Sequence, residues 1–148
     1  MMAAMDGDGG QQAWSAHRRE VLAAQEDALR RTRQEEHERA TAKLRAAIGR
    51  WQEAGIAPLP LRAQPHTGSG SVRTSLHGWY LKHDRSIAVD TEGRFYVMRV
   101  DGSLLSRLRG VTPDPSPAAL VVGRGARDGE TFDLDELLDM RGKDPVRP

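Results

Sequence analysis

Apolar and polar positions divide this chain into two unlike halves. From Ala13 to Ala54 alanine, glutamate, glutamine, arginine and leucine dominate, proline is absent and Gly49 is the one weak point. Such a run predicts one long charged helix over 13–54, reaching roughly 60 Å at 1.5 Å per residue. Glu26 with Arg30, Asp27 with Arg31, and Glu35 with Arg39 stand as acid-before-base pairs four residues apart, the favourable order on a helix surface. Gly55, Ile56 and Pro58 then form a stop signal.

Within that helix the large apolar residues fall in two patches. Trp14, Val21, Leu22 and Leu29 lie near its start, and Leu44, Ala47, Ile48 and Trp51 form a tighter stripe near its end. Between them RRTRQEEHER, from Arg30 to Arg39, carries nothing apolar, so a continuous coiled coil is interrupted. The simplest account docks the second stripe on a C-terminal domain and leaves the first for another surface or a second copy. Trp14, Val21, Leu22, Leu29, Leu44, Ile48 and Trp51 are therefore the candidate partner-binding residues.

The second half reads as strands. HGWYLKH (His77 to His83), SIAVD (Ser86 to Asp90) and FYVMRV (Phe95 to Val100) are rich in aromatic and β-branched residues and are separated by turn-like segments. They predict an antiparallel meander whose third strand, apolar on both faces, is central. SLLSRLRG (Ser103 to Gly110) has leucines at helical spacing, and AALVV (Ala118 to Val122) is a fourth apolar strand. A last short helix follows. With Asp133 at its N-cap, Glu136 takes the capping-box position, Phe132 and Leu137 form the hydrophobic staple, and Gly142 is a C′ candidate. The fold class expected is α+β: a long N-terminal helix, a flexible linker, then a small antiparallel sheet of about four strands with two short helices. The divisions are a disordered tail over 1–12, the helix over 13–54, a Pro/Gly/Ser linker over 55–71, the α+β domain over 72–141 and a tail over 142–148.

Composition narrows the function classes. The formal net charge is +1 at pH 7, which excludes a global basic field that recruits nucleic acid by charge alone. The charge is segregated, however. Residues 58–127 hold ten basic against five acidic side chains, and residues 128–148 hold seven acidic against three basic. There is no cysteine, so disulfides, thiolate metal sites and cysteine nucleophiles are excluded. The N-terminus has no secretory pattern and no apolar run approaches a membrane span, so a cytoplasmic protein without a membrane partner is expected. Arginine far outnumbers lysine and asparagine is absent, a usage that fits a GC-rich bacterial genome.

The candidate chemistry is thin. VVGRGARDGE (Val121 to Glu130) has the glycine and arginine content of a phosphate loop. Its glycines miss the dinucleotide spacing, and Asp128-Gly129 is a tight-turn dipeptide, so a hairpin-like reversal is the better reading. Arg124 and Arg127 remain candidates for contact with an anion or an acidic partner. His77 and His83 share a face of the first predicted strand but stand about 20 Å apart along it, too far to hold one metal ion. No cofactor motif, metal site or catalytic set is legible. The function expected is a non-enzymatic protein-interaction module, an adaptor or accessory subunit, acting through the helix and the adjoining domain surface. The alternative is nucleic-acid binding by the arginine-rich segment 62–127, with Trp79, Tyr80, Phe95 or Tyr96 as stacking residues. A small enzyme is the third reading.

Overall fold

A computed structural model describes residues 3–123 and 130–148, with side chains from residue 9 onward. The architecture is α+β: one long helix, a mostly antiparallel five-stranded sheet, a two-stranded ribbon and two short helices. The chain divides into two compact units, Met1–Glu35 and Glu36–Pro148.

Helix α1 spans Ala3–Glu53. It begins earlier than the residue types predict, and takes in the glycine-rich stretch expected to be a disordered tail. Adding a residue to an existing helix costs far less than starting one, and no proline stops this one. In the first unit the surface ion pair is Arg30 with Asp27, three residues apart, rather than with Glu26. In the second unit the same helix turns the Leu44, Ala47, Ile48 and Trp51 stripe into a core, joined by Ala40.

Strand β1 (Leu59–Pro65) occupies the segment expected as a linker. Leu61 and Ala63 face inward and carry it, a period-two signal hidden among three prolines. β1 runs antiparallel to β2 (Val72–Tyr80), β2 to β3 (Ile87–Asp90) and β3 to β4 (Phe95–Val97). β5 (Arg99–Val100) then pairs parallel with β1. The strand order is β4-β3-β2-β1-β5.

That order has a geometric consequence. β4 and β5 stand at opposite ends of the sheet, yet Met98 alone separates them in the chain. The Met98 N–H donates to Ser86 O at 2.8 Å on the β3 side, and its carbonyl accepts from Gln64 N at 2.7 Å on the β1 side. The sheet therefore curls round until its two edges share one strand, and a small barrel results. β2 supplies the curvature. Between the pairs Pro60↔His77 and Arg62↔Arg73 it places three residues opposite Leu61 alone. Thr74 Oγ1 fastens this bulge, donating to Leu61 O at 2.6 Å and accepting from Leu76 N at 3.1 Å.

The third predicted strand is thus not central. Its two halves bond to different neighbours, and its outer face is only partly covered, with Phe95 packed on the outer core and Val97 46% exposed. Alternation along the strands separates two cores. Leu61, Ala63, Leu76, Tyr80, Ala88, Tyr96 and Met98 form the inner one. Trp79, Leu81, Ile87 and Val89 project the other way, against α1 and helix α3 (Leu134–Lys143).

Helix α2 (Leu104–Arg109) follows the barrel. The fourth predicted strand shrinks to β6 (Val121–Val122), which pairs antiparallel with β7 (Phe132–Asp133). The strands flanking 124–129 therefore reverse direction, and Gly123 opens the reversal with a φ of 98°. A side chain there would place Cβ 2.2 Å from Glu130 O. Asp133 caps α3 as expected, accepting from Glu136 N at 3.4 Å. Gly142 does not end the helix, which continues to Lys143 and is capped at Asp144. Its value is closeness: a Cβ on Gly142 would lie 3.2 Å from Trp51 Nε1. The expected tail over 142–148 is also held in place, with Val146 packed on the inner core and Arg147 O accepting from Arg85 Nη2 at 3.1 Å.

Candidate functional site

Leu44, Ile48 and Trp51 are not available to a partner. They are buried in the second unit's own core, where Trp51 meets Trp79 with ring centroids 5.8 Å apart and planes tilted by 55°. Their spacing of i, i+4 and i+7 makes one continuous stripe, and a neighbouring domain in the same chain was sufficient to cover it. Trp14, Val21, Leu22 and Leu29 are exposed, Trp14 by 60%. At about 100° per residue these four fall within roughly 100° of helix circumference. Arg18 lies in the same sector, its Cζ 3.9 Å from the Trp14 ring centroid.

A second apolar surface is α2. Sequence spacing makes its leucines look like a core-facing stripe, but no residue of α2 is buried, and Leu104 is 75% exposed with Leu105 and Leu108 close behind. Polar bonds hold this helix. Ser103 caps it, Arg73 Nη2 donates to Leu108 O at 2.9 Å, and Arg107 donates to Gly102 O at 3.1 Å and Ser69 O at 3.2 Å.

Arg124 and Arg127, the candidate anion contacts, lie outside the described residues. A different arginine is notable. Arg141, in the last turn of α3, is 9% exposed, and its Nε and Nη1 make no hydrogen bond among the described residues. It lines a shallow cleft, open to solvent, with Trp51, Ile56, Trp79, Tyr80 and Val146. The Trp79 indole N–H is already used, donating to Ile56 O at 3.0 Å. The Tyr80 hydroxyl is also committed, accepting from Arg62 N at 2.7 Å and donating to Arg62 O at 3.2 Å.

Two polar residues of the stretch that carries nothing apolar turn out to be docking groups. Glu36 Oε1 accepts from Leu120 N at 3.1 Å, and His37 Nδ1 accepts from Ala118 N at 3.0 Å. They satisfy backbone donors of a segment that has no strand partner there. His83 leaves β2 altogether, lying in the turn beyond it with Nε2 2.9 Å from Asp144 Oδ2.

The best-built polar cluster surrounds Asp90, which is 3% exposed. Its Oδ1 accepts from Glu92 N and Arg94 N, both at 2.9 Å, and its Oδ2 accepts from Arg94 Nε at 2.7 Å and Tyr96 Oη at 3.0 Å. Burial works against the charge, but the Arg94, Glu92 and Tyr96 hydrogen bonds outweigh it and hold the carboxyl below its ordinary value. Burial and the Asp90 charge together push the Tyr96 phenol up. Every lone pair is engaged in tying the β3–β4 turn to the barrel, which makes this cluster structural.

Among the described residues no group of histidine and carboxylate side chains is arranged to hold a metal ion, and no helix is long and apolar enough to cross a membrane. Trp79, Tyr80 and Tyr96, three of the four aromatics considered for base stacking, are buried and offer no free ring face. Comparison with protein-family models, with curated proteins and with solved structures found no match to this chain.

Proposed function

We propose that this protein is a non-enzymatic interaction module that binds a protein partner, or a second copy of itself, through the exposed apolar faces of two helices. The observation that carries this reading is α2, a helix held by hydrogen bonds at its ends whose leucines all face outward. Burying a leucine contributes about 1.5–3 kcal/mol, so a surface that leaves three adjacent ones in water forgoes a stabilisation its own core could have used. The Trp14, Val21, Leu22 and Leu29 face supports the same reading, because its residues share one sector of α1 and are exposed.

The test uses two sets of surface substitutions in the full chain: Trp14→Ser with Leu22→Ser and Leu29→Ser, and Leu104→Ser with Leu105→Ser and Leu108→Ser. Both sets replace exposed side chains, so the melting temperature stays near that of the native protein. Light scattering over a range of concentrations and crosslinked capture of partners are then compared. The proposal expects at least one set to abolish an association that the native chain shows. Folded variants that keep the native mass and the native partners would refute it.

A further inference from the structure

We propose that α2 is the docking face for an acidic amphipathic segment of a different protein chain. Its leucines take the apolar side chains of that segment, and the arginines around them take its carboxylates. This assignment rests on the interaction reading above and names the chemical class of the partner.

The leucines stand in a frame of positive charge. At about 100° per residue Leu104, Leu105 and Leu108 cover roughly 100° of α2. Arg109 stands roughly 40° beyond one edge of that stripe, and Arg107 roughly 60° beyond the other. Beside the helix, Arg73 of β2 bonds to Leu108 O, and Arg62 of β1 is the direct cross-strand neighbour of Arg73. All four arginines are exposed. Like charges opposite one another on neighbouring strands are destabilising, a cost that a bound anion relieves. None of the four stands in an ion pair among the described residues, and Asp101 and Asp114, the acids flanking α2 in the chain, bond to none of them. The basic excess of residues 58–127 is thus left standing around α2, not cancelled by the acidic C-terminal segment.

Three of these guanidinium groups are also held in place. Arg62 donates to Ser71 Oγ at 2.6 Å and Ser71 O at 3.3 Å, Arg73 to Leu108 O at 2.9 Å, and Arg107 to Gly102 O at 3.1 Å and Ser69 O at 3.2 Å. Each commits only a minority of its N–H donors. Planar forks fixed in this way favour carboxylates at set positions over the fluid headgroups of a lipid surface. A nucleic-acid backbone would use the arginines and leave the leucines in water. A second copy of this chain matches poorly. Asp135, Glu136 and Asp139 on the exposed side of α3 share it with Lys43, which is paired with Asp135, and with Lys143. The acids near the Trp14 face stand among Arg18, Arg19, Arg30 and Arg31. What fits is a run of apolar side chains with aspartate or glutamate on both sides. Since α2 is six residues, about 9 Å long, it covers roughly two turns of a bound helix.

The test uses the full chain and fluorescein-labelled amphipathic peptides of roughly four turns, about 14 residues, sharing one leucine pattern. Their polar positions are all glutamate, all glutamine or all lysine, and binding is read by fluorescence anisotropy. The glutamate peptide is expected to bind saturably, roughly tenfold or more tighter than the glutamine peptide, and the lysine peptide not at all. Added sodium chloride should weaken it. Arg109→Glu alters a side chain that makes no hydrogen bond among the described residues, and should lower the affinity roughly fivefold or more. Leu105→Ser with Leu108→Ser should lower it as far. Circular dichroism checks that each variant is folded, and Arg109→Glu alone carries the comparison should the leucine pair unfold. Equal affinity for the glutamate and glutamine peptides keeps α2 as a docking surface and overturns the acidic class alone. Vesicles of phosphatidylcholine and phosphatidylserine that bind the native chain but not Arg109→Glu would assign α2 to a lipid surface. A concentration-dependent rise in mass lost in the same variant would assign it to a second copy. Either result overturns the acidic segment. Silence from all the peptides overturns it too, while the interaction reading stands or falls on the capture experiment above.

Discussion

Asp90 concentrates four hydrogen bonds on one buried carboxylate, so its replacement should be among the most destabilising polar changes in the chain. Asp90→Asn keeps one oxygen where Oδ1 accepts from Glu92 N and Arg94 N. It puts an amide NH₂ where Oδ2 stood, facing the Arg94 Nε–H as donor against donor. The Tyr96 hydroxyl can turn to accept instead of donate, so that contact survives in reversed sense. One charge-assisted bond is lost and one repulsion is gained, which sums to about 2 kcal/mol. Asp90→Ala also strands the Tyr96 hydroxyl inside the barrel and frees two turn amides, which raises the loss to about 4 kcal/mol. For a unit of this size about 2 kcal/mol lowers the melting temperature by roughly 8 °C.

The pH dependence supplies the sharper criterion. Hydrogen bonds depress the folded-state value of Asp90. Its contribution is therefore fully present above the unfolded-state value of about 3.9 and is lost as pH falls through the lower folded-state value. Asparagine does not titrate. The gap between native and Asp90→Asn stability, measured by urea denaturation, should hold from pH 7 to about pH 5 and then narrow towards pH 3. A gap that stays constant across that range would refute the argument, as would an Asp90→Asn protein as stable as the native one.

Other outcomes follow from the same structure. Leu44→Ala, which empties a fully buried position on α1, is expected to cost about 2–5 kcal/mol in denaturant unfolding. Gly142→Val drives a branched side chain against Trp51, which Trp79 backs, and should destabilise by about 1–3 kcal/mol in the same assay. His37→Ala removes the acceptor of the Ala118 N–H, so hydrogen exchange at that amide should accelerate while amides inside the barrel keep native protection. A chain starting at Ser71 lacks both β1 and the Leu44–Trp51 face, and circular dichroism should find it without cooperative unfolding.

The parts of this fold legible in the sequence are those governed by local rules. α1 was plain from composition, and the Asp133 cap followed from one side chain and the residue three positions on. β1 was hidden because proline and glycine-serine composition outweighed the Leu61 and Ala63 alternation. Barrel closure was invisible for a different reason. It depends on Met98 bonding to two strands at once, and that pairing joins Gln64 to residues more than thirty positions away. Of the candidate partner residues, the exposed four and the buried three have similar composition, and only the tertiary fold separates them. Arg141 lies near a helix end by sequence, but its burial depends on the residues that the tertiary fold brings round it.

The second half of α1 has a consequence for the order in which the protein is made. Its stripe is covered partly by Trp79, Leu81, Ile87 and Val89 of the barrel and partly by Ala118, Val122, Leu134, Leu137 and Leu138, all later in the chain. During synthesis that stripe leaves the ribosome long before its covering exists. The barrel strands are complete once Val100 has emerged, whereas the helix must wait until Leu138 is free. For that interval Leu44, Ile48 and Trp51 have only the barrel side of their core, and a nascent-chain chaperone would meet apolar surface that the finished protein buries.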